Sequence, residues 1–172
     1  MKNLIAIMIV IIMTGIGCKS EQIKDNVSTT AKVTKSVVAV STPPTAEEIV
    51  FVAYIGAQTE QLLESFNTLI QQDSATPEQW KTGLVLVNGI AGKLEILLYS
   101  VEISNPDLLR VKEKLVSANN EIRATAKNLA IATNALENEN ATLATLYMLK
   151  AKDNMQNAKN HLYNAKNYVA QR

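Results

Sequence analysis

The chain has 172 residues, of which 47% are apolar, 19% charged and 5% aromatic, with 17 Lys and Arg against 16 Asp and Glu. This balance suits one small helical domain and excludes a nucleic-acid binder held by counterion release, which needs a marked basic excess. One His and one Cys exclude a multi-His centre, a zinc site and a disulfide framework, so no metal, cofactor or catalytic residue is expected.

The first segment runs Met1-Lys2-Asn3, then the apolar stretch Leu4 to Met13, then Thr14-Gly15-Ile16-Gly17-Cys18. A basic start, about ten apolar residues and small residues at the end make an export signal, too short to remain as a membrane span. Its end resembles the lipobox of bacterial lipoproteins, with Gly17 in the small position and Cys18 in the lipidated one, although that family usually has Leu where this chain has Gly15. The resemblance ends at residue 18. It implies cleavage after Gly17, a diacylglycerol and a palmitate on Cys18, and membrane anchoring. Lys19 in place of the Asp that marks inner-membrane retention implies the outer membrane, facing the periplasm or the outside. Losing residues 1–17 removes Lys2 and no acid, which leaves the mature chain neutral.

Residues 18–44 turn to Ser, Thr, Lys, Val and Ala and end in Pro43-Pro44. With no repeated apolar face to offset ordering entropy, they read as a flexible tether with a root-mean-square span of roughly 28 Å.

Residues 45–172 read as an all-α domain. Thr45 with Glu48, Thr76 with Pro77 and Gln79, and Asn105 with Pro106 are helix starts, and Asn140 is a softer fourth. The predicted helices are about 45–72, 77–103, 106–137 and 140–170. The third carries Leu108, Val111, Leu115, Ala118, Ile122, Thr125, Leu129, Ala132 and Leu136 at alternating spacings of three and four. The fourth repeats the device from Ala144 to Val169, and the first follows with Val52, Ile55, Thr59, Leu62, Phe66 and Leu69. Short connections between long helices predict an antiparallel four-helix bundle, with three long helices as the alternative. The acidic first helix and the basic fourth favour each other as neighbours. Gly56, Gly89 and Gly92 are expected where the first two helices cross closely, because glycine inside a helix otherwise costs about 1 kcal/mol.

Catalytic candidates are scarce. His161 lies in the row Tyr147, Asn154, His161, Tyr168 beside the fourth seam, which reads as a boundary row of rings with wet polar ends. Glu60 and Glu64, one turn apart, read as a solvated face answering the lysines of the fourth helix. The clearest excess is apolar: Ile49 to Ala57 has no charge, and Thr82 to Gly92 has only Thr82 and Asn88 as polar breaks. Phe51, Tyr54, Val85 and Leu86 are therefore predicted to form an exposed patch for docking or self-association.

The sequence thus predicts a non-catalytic lipoprotein, held on the envelope by Cys18 and acting on a protein partner or a second copy as an adaptor, assembly or immunity factor. The alternative is a small-ligand or lipid binder with a cavity among the first, second and fourth helices, using Tyr54, Tyr99, Tyr147 or His161.

Overall fold

The computed structural model describes residues 43–71 and 76–170. The export signal, Cys18 and the tether as far as residue 42 lie outside the described residues. Four helices follow one another: α1 (Ala46–Ile70), α2 (Pro77–Ser100), α3 (Pro106–Glu137) and α4 (Ala141–Ala170). They form an all-α four-helix bundle.

Each start is capped as its sequence dictates. The Thr45 hydroxyl accepts from the Glu48 amide while the Glu48 carboxylate accepts from the Thr45 amide, at 3.1 and 2.8 Å. Thr76 and Gln79 repeat the reciprocal pair at 3.2 and 2.9 Å. Asn105 Oδ1 accepts from Asp107 and Leu108, and Asn140 Oδ1 accepts from Leu143 at 3.0 Å. These bonds satisfy amides that have no partner within the helix. A continuous helix over 106–170 is ruled out by Glu139, whose φ of 56° reverses the chain. There the Asn140 amide donates to the Ala135 carbonyl at 2.8 Å. α2 stops three residues short of its predicted end, at Ser100, and Val101 is extended. The loop needs that length to bury Ile103 and bring Asn105 into capping position.

The core follows the predicted spacing. On α3 the row from Leu108 to Ala132 is buried throughout, with Leu136 half-buried, and on α4 the row from Ala144 to Ala165 is buried. α1 buries Val52, Ile55, Thr59, Leu62 and Phe66 but leaves Leu69 half-buried, turning Leu63 and Ile70 inward instead. Each fully buried Leu or Ile contributes roughly 1.5–3 kcal/mol, so these rows supply most of the cohesion.

α3 packs on all three other helices, whereas α2 and α4 are not major neighbours. Polar bonds mark its three contacts. Asn119 Nδ2 donates to Thr59 Oγ1 of α1 at 3.0 Å in a buried site, and Trp80 Nε1 of α2 donates to Thr133 Oγ1 at 3.0 Å. Asn154 of α4 donates to Glu121 and accepts from Asn128. Asn119, Asn128 and Asn154 thus act as cross-helix ties. α1 and α4 do meet, as their opposite charges favour, and Lys166 pairs with Glu60.

Glu48 has a second task beyond its cap. Its Oε1 accepts from the Ser104 amide at 2.5 Å and the Ser104 hydroxyl at 2.8 Å, with a longer contact of 3.4 Å from the Asn105 amide. The Thr45 amide first, then the Ser104 amide and hydroxyl, stabilise the ionised carboxylate and lower its pKa from 4.5 to about 2. A group depressed on folding contributes stability above its unfolded pKa and loses it as pH falls through the folded one. The expected outcome is a part of acid destabilisation that falls between pH 4.5 and 2 and is absent in Glu48→Gln, read from urea unfolding at several pH values. Equal pH slopes in the two proteins across that window would contradict the clamp.

Candidate interaction surface and groove

α2 turns Trp80, Leu84, Val87, Ala91, Leu94 and Leu98 into the core. Its ion pairs sit on the flank toward α3, where Lys81 meets Glu137 at 2.7 Å and Glu95 pairs with Arg123. The rest of its circumference would ordinarily be polar. Instead Val85 is 70% exposed, Leu86 60%, Ile96 68% and Tyr99 65%, with Lys93 as the charge in mid-face. α2 is the one helix among the described residues that is long and apolar enough to cross a membrane by length and composition, with mean hydropathy 1.3 and only 28% of that window buried. Its composition is that of an interior helix, but its position is peripheral.

Of the predicted patch, Tyr54, Val85 and Leu86 are exposed. Phe51 is not: it is half-buried and packs against the core, beside Val101 and Ile103 at the end of the bundle. The patch extends further than predicted along α2, to Ile90, Ile96, Leu97 and Tyr99. Trp80 at the start of α2 does not cover the patch: it is buried against α3.

The three glycines do not mark a crossing of α1 and α2. A Cβ on Gly56 would meet Leu115 of α3 at 3.9 Å, one on Gly92 would meet the Arg123 guanidinium at 3.7 Å, and one on Gly89 would meet nothing within 4 Å. Each lies on a different side of its helix from the α1–α2 seam, because one residue rotates the side chain by about 100°. The close approach is at Gly83, where a Cβ would lie 2.6 Å from Leu69 Cδ2. Leu69 and Gly83 flank the α1–α2 turn, and the apolar row containing Leu69 was the available signal.

A second feature lies on another side of α1. A groove of about 350 Å³ runs between α1 and α4 over a floor of Leu108, Val111 and Leu115 from α3. Val52 and Gly56 form one wall, Leu162 and Ala165 the other, and Glu60 and Lys166 stand at its edge. Its lining is small and aliphatic, the character of a site for an apolar chain. None of Tyr54, Tyr99, Tyr147 and His161 lines it, and α3 takes the place predicted for α2. The row containing His161 is divided among separate tasks. Tyr147 packs on the core beneath Lys150, whose Nζ lies 4.6 Å from the ring centre, and Asn154 joins Glu121 and Asn128. His161 is half-buried, with Nδ1 unbonded among the described residues. Among the described residues no group of three or more His, Cys, Asp or Glu is placed to hold a metal ion.

No family model, curated protein or solved structure matches the chain.

Replacing Gly89 by Ala is expected to raise stability by about 1 kcal/mol in dilute solution, since helix propensity improves and the Cβ enters open space. Gly83→Ala gains less because Leu69 must move, and equal gains in chemical denaturation would contradict the packing described.

Proposed function

We propose that this protein is a non-catalytic lipoprotein of the bacterial envelope, anchored through Cys18, whose helical bundle works by protein–protein contact at the α1–α2 hairpin. The observation that carries this reading is the outer face of α2, where four large apolar side chains are each at least 60% exposed. An apolar face of that length on a small domain is costly in water and gains free energy when covered. Anchoring supplies the other half of the mechanism. Two or more acyl chains at Cys18 hold a protein on a bilayer stably, and the residues between Cys18 and Pro43 set a search radius of tens of ångströms. A weak contact then becomes effective through local concentration. The Lys at position 19 supports the outer membrane as the site.

The groove between α1 and α4 favours a second reading, an acyl-chain binder. Its size falls at the lower end of ligand pockets, and Lys166 at its edge offers a cation to an acidic head group, in competition with Glu60.

Labelled palmitate is expected to enter the protein in cells and to be lost in Cys18→Ser, with release of that variant from the membrane fraction. A photoreactive residue at Val85 is expected to crosslink a protein, while one at the exposed Lys127 on α3 is not; failure of both labelling and crosslinking removes the leading reading. For the groove, a fatty acid that raises the melting temperature of the wild type and not of Gly56→Leu supports the second reading, and equal shifts in both exclude it.

A further inference from the structure

The most specific feature of the exposed face is a glycine without a reason inside its own chain. Gly89 stands in the interior of α2, where it is less favourable than Ala by roughly 1 kcal/mol. Gly56, Gly83 and Gly92 each face a side chain of a neighbouring helix, but the space in front of Gly89 is open. Close approach of another backbone from outside is the standard reason for such a residue. Resting on the reading that the α1–α2 hairpin is the working surface, we propose that what approaches is a second copy of this chain, with α2 packed antiparallel on its counterpart across Gly89.

Three observations select a second copy in that orientation. Gly89 lies at the centre of α2, between Pro77 and Ser100. A two-fold axis through it therefore overlays the whole of both helices, as an isologous contact requires. Lys93 decides the direction. A parallel pairing about Gly89 sets the two Lys93 side by side, whereas an antiparallel one separates them by about 12 Å along the axis, from eight residues at 1.5 Å each. It also places each Lys93 across from the partner copy's Val85, where the lysine stem covers apolar surface and its ammonium stays wet. The third observation is extent. Val85, Leu86, Ile90, Ile96, Leu97 and Tyr99 are all exposed by 44% or more, offering on the order of 700 Å² from α2 alone, close to the ~800 Å² per partner of a standard interface. Tyr54 on the neighbouring helix is 56% exposed as well.

The test uses the full chain in mild detergent, followed by sedimentation equilibrium over a concentration series. A reversible dimer is expected. Gly89→Leu is expected to weaken it at least tenfold without lowering the melting temperature, because the monomer has room for the side chain. Val85→Lys is expected to weaken it similarly, by setting a second ammonium across from the partner copy's Lys93. Under oxidation Gly89→Cys crosslinks to itself and Val85→Cys does not, which separates the antiparallel arrangement from a parallel one, where both crosslink. A chain that stays monomeric overturns the proposal; if a photoreactive residue at Val85 then captures a different envelope protein, the hairpin still stands as the docking surface. A dimer unaffected by either substitution lies on another face and overturns the proposal. Monomers that bind phosphatidylethanolamine–phosphatidylglycerol vesicles, and cease to do so in Val85→Asp, assign the face to lipid and overturn self-pairing.

Discussion

The bundle depends on the inner row of α3. From Leu108 to Ala132 it offers side chains at alternating intervals of three and four, all buried, and the most extensive packing of both α2 and α4 is against this helix. The buried polar bonds add specificity to that packing. A buried amide left without its partner costs about 1–3 kcal/mol, so Asn119 with Thr59 and Thr133 with Trp80 penalise a helix that slides along α3 or turns about its own axis. Leucine alone enforces neither.

A hub has a cost for its periphery. Since α2 and α4 lie mainly against α3 and not against each other, each keeps much of its circumference outside the core. On α4 that surface is mixed, with Lys150, Asn157, Asn160 and Asn164 exposed beside Leu146, Leu149 and Tyr163. On α2 it is apolar. That apolar face is the physical basis for treating α2 as incomplete on its own. The groove beside α1 has a related origin: Gly56, Ala57 and Ala165 are small, so the walls facing each other across α3 are too short to meet.

What was legible in the sequence was what one helix determines for itself. Thr45 with Glu48 and Thr76 with Gln79 are local signals, and both boxes form. The rows of α3 and α4 are local as well, since a stripe at a period near 3.6 names its inner face without reference to any neighbour. What depends on two helices together was not legible. Gly56 is expected at the crossing with α2 because a glycine inside a helix needs a close neighbour, but that neighbour is Leu115 of α3. Phe51 was placed in the open patch for its company in an apolar run, yet it points toward the loop after α2, whose position no local pattern encodes. The second task of Glu48 was hidden for the same reason, because Ser104 is 56 residues away. Much of the apolar excess was read correctly, since Val85 and Leu86 sit opposite the inner row of their own helix.

The carboxylate of Glu48 joins the first turn of α1 to Ser104 at the bend before α3. It sits where the chain enters the bundle from its N-terminal segment. A pulling force arriving along that segment therefore meets a carboxylate shared between two parts of the bundle before it meets the i to i−4 ladder of α1. Tension is handed to the bend and through it to the longest helix, so α1 is protected against being unwound from its end one turn at a time.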